Sequence, residues 1–295
     1  MKTLRKYLML AGCVLSVAAN AQFGNFNLNK LIDKGAKLVE AAKDITEAEE
    51  ISMGDGIAAM ILGASPLHPD QNLQRYVNRV GRWVASQSSR PDLPWAFGVI
   101  DAPTVNAFAL PGGKVFVSIG LVRRLNNEAE LAGVLAHEVA HVMQKHQVQA
   151  IQSARKSGAG QAILQEQAAE RIAKTSAGQN ALTGTLANAA AGEGIEFLKN
   201  GLFLRPLDKA LEFEADRIGA TLAARAGYDP YGLVSAIQIL SGMKAEDSGV
   251  SLLMSTHPTP NDRLTELEKF AATLDKFAAQ PQVEDRFVKI VAAIK

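Results

Sequence analysis

Apolar residues in NLQRYVNRVGRWVA fall at Leu73, Tyr76, Val77, Val80, Trp83 and Val84, and their three- and four-residue spacing predicts a helix that buries one face. A helical pattern with mixed charges precedes it from Asn27 to about Leu62, interrupted at Gly54 and Gly56. ASPLHPD, with Pro66 and Pro69, reads as the loop between the two. The period then shortens. PWAFGVID, from Pro94 to Asp101, reads as a strand, and NAFALPGGKVFVSIGL reads as two more around a turn at Pro111-Gly112-Gly113.

The remainder is helical. Asn127 can cap the next helix, with Glu128 and Glu130 in its first turn, where the helix dipole favours negative charge. Residues 147–200, rich in Ala, Gln and Gly, read either as loosely packed helix or as a mobile lid, with Gly158, Gly160, Gly192 and Gly194 as flexible points at its ends. A helix from about Pro206 to Ala226 stops at Gly227, and another from Tyr231 to Met243 buries Leu233, Val234, Ile237 and Leu240. Thr259, Pro260 and Asp262 begin a last long helix. Helices flanking one small sheet place the chain in the α+β class.

Composition narrows the function. The 295 residues carry 31 basic and 30 acidic side chains, and a net charge of +1 gives no global attraction to nucleic acid. MKTLRKYLMLAGCVLSVAANAQ reads as an export signal over residues 1–21: Lys2, Arg5 and Lys6, an apolar run from Tyr7 to Ala19, and Ala19-Asn20-Ala21 as the cleavage site. LAGC also resembles a lipoprotein box that would lipidate Cys13, although only Tyr7 to Leu10 lie upstream where signals have about 7–15 apolar residues. As a membrane anchor, a run of about 13 apolar residues is short against the roughly 20 of a span. The mature chain is therefore expected in the periplasm of a Gram-negative bacterium, soluble or peripherally associated with the outer membrane, with no transmembrane span. Cys13 is the only cysteine, so any metal must sit on His, Asp or Glu.

LAHEVAHVMQKH, residues 135–146, holds three of the five histidines. Residues four apart on a helix differ by about 40° in direction, so His137 and His141 can aim at one ion, and Glu138 sits at the edge of that face as a general base for peptide hydrolysis. This is the HExxH arrangement. His146 is turned about 140° from His141 and about 180° from His137 on an ideal helix, so it is expected on the surface near a helix C-terminus. The extended metzincin pattern is absent, because Gln occupies both 144 and 147. A third ligand must come from elsewhere. In EFEAD, Glu212 and Asp216 share a helix face while Glu214 is turned about 200° from Glu212. Glu212 can ligate zinc and Asp216 can accept the other N–H of a ligand histidine, or the stretch is a solvated acidic face. His68 and His257, each before a proline, read as loop residues on local pattern alone.

NAFALPGGKVFVSIGLV, ELAGVLAHEVAHV, EFEADRIG and STHPTPNDR, in this order, resemble the zinc metallopeptidase family of the CAAX prenyl proteases and the membrane protease HtpX, in particular its soluble periplasmic BepA- and LoiP-like members. The likeness covers most of the mature chain. It implies a mostly helical zincin-type α+β fold with a small sheet beside the HExxH helix, organised as a helical segment over 22–65 and a metallopeptidase domain over 66–295. It implies one Zn2+ per chain on His137, His141 and Glu212. His257 then lies beside the zinc, either plugging its fourth position or stabilising the oxyanion, with Arg263 as its matching arginine. Asn106, Ala107, Phe108 and Ala109 would present backbone to an extended peptide as an added strand. The expected activity is a metalloendopeptidase for unfolded or misassembled cell-envelope proteins; the alternative is a zinc-regulated chaperone or binding protein with a self-blocked site. About thirty residues after STHPTPNDR leave no room for the stacked helical repeats of the longest periplasmic members.

Overall fold

The structure, a computed structural model, describes residues 43–153, 156–158, 208–243 and 257–294. The export signal, Cys13, residues 22–42 of the expected helical segment 22–65 and most of the Ala-rich stretch 147–200 lie outside the described residues.

Thr46 opens α1 (Glu47–Ala64) with a capping box: its hydroxyl accepts from the Glu49 amide and Glu49 reaches back to the Thr46 amide. Asp70 caps α2 (Gln71–Ala85). The strands β1 (Ala96–Ile100), β2 (Ala107–Leu110) and β3 (Lys114–Ser118) form one sheet in the order β1-β3-β2, with β1 parallel and β2 antiparallel to β3. Gly112 and Gly113, at φ 72° and 90°, make the β2–β3 turn. A short helix, α3 (Ile119–Val122), leads to α4 (Glu128–Met143), which carries the HExxH residues. Then come α5 (Lys209–Arg225), α6 (Gly232–Ser241), α7 (Pro260–Glu268), α8 (Ala271–Leu274) and α9 (Glu284–Ala292).

Both faces of the sheet are covered. Phe97, Val99, Ala107, Ala109, Val115 and Val117 pack into the main core with α2 and α4, while Ile100, Leu110 and Phe116 meet Ile57 and Ala58 of α1 on the opposite face. The β1 edge is closed by side chains of α2. Gln74 both donates to the Val99 carbonyl and accepts from the Val99 amide, and Asn78 accepts from the Phe97 amide. β2 forms the other edge.

Two buried carboxylates pin the layers together. Glu50 of α1 accepts from the Gly112 amide (3.1 Å) and pairs with Arg90, which also donates to the Val142 carbonyl at the end of α4. Glu128, expected at the N-terminus of α4 for the dipole alone, is fully buried. It accepts from the hydroxyls of Tyr76 (2.6 Å) and Tyr228 (2.7 Å) and from Arg286 of α9.

Three expectations need correction. α1 runs unbroken through Gly54 and Gly56. Gly54 is there because the Pro111 carbonyl lies 1.9 Å from where a Cβ would stand, so the glycine admits the β2–β3 turn rather than ending the helix. Trp83 is 53% exposed instead of buried, since its indole N–H donates to the Ala226 carbonyl (2.8 Å) at the protein surface. The last long helix is broken into α7, α8 and α9, because Leu267 and Leu274 must both bury and the carbonyls of Pro281 and Gln282 must turn back to accept from the amides of Asp229 and Ala129.

Gly54→Ala is expected to destabilise the protein by about 1–3 kcal/mol. Gly56→Ala, two residues on with nothing within 4 Å, should stabilise it by about 0.5–1 kcal/mol in urea unfolding, and equal effects at the two sites would contradict the packing of α1. Burial alone would raise the Glu128 carboxyl, but the hydrogen bonds from Arg286, Tyr76 and Tyr228 outweigh it and hold its pKa below the usual 4.5. A group depressed in the folded state contributes stability above its unfolded pKa and loses it as pH falls through the folded value. The melting temperature should therefore drop more steeply below pH 4.5 for wild type than for Glu128→Gln, and parallel curves would refute this.

Candidate metal centre

α4 places His137, Glu138 and His141 on its buried side, and α5 crosses it at close range. Glu212, Asp216 and Gly219 form one stripe of α5 at four- and three-residue spacing. Gly219 is the contact point: a Cβ there would lie 2.8 Å from the His137 amide nitrogen. The missing side chain lets α5 lie against α4, and the two acids higher on the stripe come down over the histidines.

The donors converge. His137 Nε2 and His141 Nε2 are 3.0 Å apart, and each is 3.6 Å from an oxygen of Glu212, Oε2 for His137 and Oε1 for His141. His257, from the segment before α7, places Nδ1 2.5 Å from Glu212 Oε2. One ligand atom from each of His137, His141, Glu212 and His257 lies within 4.8 Å of the others. Zinc takes nitrogen and oxygen donors at about 2.0–2.2 Å, so donors around a tetrahedral ion sit about 3.3 Å apart; the separations among His137, His141 and Glu212 bracket that value, whereas His257 stands in direct hydrogen-bond contact with Glu212. Glu212 Oε1 is buried with no hydrogen-bond partner, which is the signature of an atom whose partner is an ion.

A further set of groups holds these donors. Asp216 Oδ1 is 2.8 Å from His137 Nδ1, and Arg263 pairs with Asp216 through Nε (2.9 Å) and Nη2 (2.6 Å), with Nη2 3.4 Å from His137 Nδ1. Arg263 thus spends its donors on the Asp216–His137 pair. Its place in the fold comes from Thr259, which caps α7 by accepting from the Asp262 amide.

The electrostatics favour a cation. Burial would raise the Glu212 carboxyl, yet the His257 charge and the bonds with His137 and His257 outweigh it and hold it far below the ordinary carboxylate range. Asp216 is likewise depressed, the Arg263 charge outweighing its burial. Burial and Arg263 would both lower His137, but Asp216 and Glu212 lift it to about 9. Burial keeps His141 well below its usual value. Burial also raises Glu138, which is 3% exposed, and so strengthens it as a base.

His146 is not on the surface. It is 1% exposed, and its Nδ1 lies 2.9 Å from His141 Nδ1. The helical extrapolation fails because α4 ends at Met143 and Lys145 takes a left-handed φ of 58°, which turns the chain back. No periodicity reveals such a residue. Glu214, turned from Glu212 as expected, faces His146 Nε2 at 3.7 Å. Asn106, which precedes β2, is half-buried; its amide donates to Ser118 Oγ and its carbonyl accepts from the Ser118 amide. β2 packs beside α4 and carries Ala107, Phe108 and Ala109.

Known proteins resemble this chain over most of its length. Residues 71–271 match the model of Peptidase family M48. The chain is 32% identical over 246 residues to the beta-barrel assembly-enhancing protease of Escherichia coli (strain K12), covering 81% of this chain and 47% of that protein. It is 32% identical over 225 residues to the protein of the same name from Yersinia pestis, covering 74% and 43%. It is 33% identical over 195 residues to the mitochondrial metalloendopeptidase OMA1 of Schizosaccharomyces pombe, covering 66% and 52%. The chain thus spans about half the length of these relatives.

Adding zinc to metal-free protein is expected to raise its melting temperature, by about 4 kcal/mol of stabilisation when free metal exceeds Kd 1,000-fold. Glu212→Ala should abolish the rise and the one-to-one stoichiometry. No thermal response of wild type to zinc would count against this donor set.

Proposed function

Because the chain belongs to peptidase family M48, we propose that it is a zinc-dependent metalloendopeptidase with His137, His141 and Glu212 as ligands of a single Zn2+. The observation that carries this reading is the convergence of four buried or half-buried donors, one of them the unpartnered Glu212 Oε1. A zinc ion held by His137, His141 and Glu212 would supply Lewis acidity toward a scissile carbonyl and an attacking water. Glu138, beside His137 and raised by burial, accepts the proton of that water and passes it to the leaving amine. Asp216 fixes the ring of His137 through Nδ1, and Arg263 keeps Asp216 ionised and in place.

The sheet supports peptide recognition. Its β1 edge is taken by Gln74 and Asn78, while β2, running from Ala107 behind Asn106, lies at the opposite edge and beside the HExxH helix. An extended substrate pairing along residues 106–109 is read through its backbone rather than its sequence, which suits unfolded polypeptides. No helix among the described residues is long and apolar enough to cross a membrane. Together with the export signal and the name of the enterobacterial relatives, this supports action on unfolded or misassembled envelope proteins in the periplasm, at or near the outer membrane.

His257 favours a second reading. Its contact with Glu212 adds a fourth protein donor to the cluster, and around a three-ligand zinc that donor would take the position otherwise left to water or substrate. A zinc-regulated binding protein with little turnover would keep this arrangement permanently; a protease would open it. Degradation of casein and of an unfolded outer-membrane protein with added zinc separates the two. Wild type or His257→Ala is expected to cleave, and Glu138→Gln to lose at least about 100-fold in rate. No cleavage by wild type or His257→Ala would overturn the protease reading.

A further inference from the structure

We propose that His146 is a positioning residue for His141, and that it and Glu214 form a relay, a hydrogen bond to His141 backed by a longer electrostatic contact with the Glu214 carboxylate, which supports the second metal-ligand histidine as Asp216 and Arg263 support the first. The proposal rests on the reading of His137 and His141 as ligands.

Both ligand histidines turn Nε2 toward Glu212, so each has an Nδ1 facing away from the donor cluster. For His137 that nitrogen meets Asp216 at 2.8 Å. For His141 no carboxylate among the described residues is in that place. Its Nδ1 meets His146 Nδ1 at 2.9 Å, with the two rings edge to face at 75° and 5.0 Å between centroids. Two imidazole nitrogens at this distance bond only when one carries hydrogen and the other offers a lone pair. A His141 that presents the Nε2 lone pair to an ion must carry its hydrogen on Nδ1. His146 Nδ1 is then the acceptor, and the hydrogen of His146 lies on Nε2.

That second nitrogen also has a counterpart. Glu214 Oε2 faces His146 Nε2 at 3.7 Å, and Gln144 Nε2 donates to Glu214 Oε1 at 3.1 Å, which holds the carboxylate in place. The chain runs from His141 through His146 to Glu214 with each hydrogen directed outward from the ligand. EFEAD thus divides its three acids: Glu212 enters the donor cluster, Asp216 orients His137, and Glu214 orients His141 at one remove. His146 cannot itself be a ligand in this arrangement, because its Nδ1 points at the far side of the His141 ring.

The backbone is bent to make the contact. Lys145 is one of two non-glycine residues with positive φ among those described, and it stands between the end of α4 and His146. A conformation that side chains avoid, followed at once by a fully buried histidine against a ligand ring, indicates that the contact is worth more than the strain.

The test is metal affinity of the full chain, measured by competition of Zn2+ with a chromogenic chelator, with the melting temperature of the metal-free protein as the folding control. Groups that orient metal ligands typically account for about 10–100-fold in affinity, so His146→Phe should weaken zinc binding by that factor with little change in the metal-free melting temperature. His146→Gln keeps an acceptor for His141 Nδ1 and should lose less. Glu214→Gln, at a half-exposed position where folding is not at stake, should weaken binding several-fold and shift the visible absorption of the Co2+-loaded protein. If His146→Phe does not fold, His146→Gln and Glu214→Gln decide. Wild-type protein that binds no zinc defeats the metal reading itself. Wild-type protein that binds zinc while the folded variants match it within twofold defeats only the relay, as does a fall in metal-free melting temperature with unchanged affinity.

Discussion

A carboxylate buried between two imidazole nitrogens, with one oxygen left without a hydrogen bond, is the constraint on which this protein is built. Glu212 is fully buried, and burying an anion is tolerated only where positive charge or a metal is supplied. Everything near it meets that demand. His137, His141 and His257 surround it, and Arg263 with Asp216 neutralise each other one layer out. The close crossing of α4 and α5 at Gly219 makes the demand unavoidable, because it brings the carboxylate down onto the histidine face with no room to withdraw.

Other buried carboxylates hold the frame that keeps this crossing in register. Glu128 ties the start of α4 to α2, to Tyr228 beyond α5 and to α9, and Glu50 ties α1 to the β2–β3 turn and, through Arg90, to the end of α4. Both ends of the HExxH helix are therefore fixed by charged groups whose loss would leave partners unpaired in the interior. A helix clamped at both ends presents its histidine nitrogens with little freedom to drift, which is what a site of fixed donors requires.

Two contacts with the donor cluster meet around the start of α7. Thr259 and Pro260 start that helix, Arg263 grips Asp216 from its first turn, and His257 lies just upstream against Glu212. The contact that backs His137 through Asp216 and the contact of His257 with Glu212 thus come from the same short stretch of chain.

Local features were legible in the residues because local forces make them. The caps at Asn127 and Thr259, the turn at Gly112, the three strands and the His137–His141 face each depend on neighbours within a few positions, and the structure has them where the pattern put them. Glu212 and Asp216 were legible as one helix face, though which ion or solvent that face meets is not a property of the helix. Tertiary structure decided the rest. Gly54 looked like a break and is a seat for the Pro111 carbonyl; Trp83 fits the buried stripe and lies outside it; His146 points away on an ideal helix and is turned back by the left-handed Lys145. In each case the outcome is set by a contact with an element distant in the chain or by a single strained dihedral, and neither leaves a period in the sequence to read.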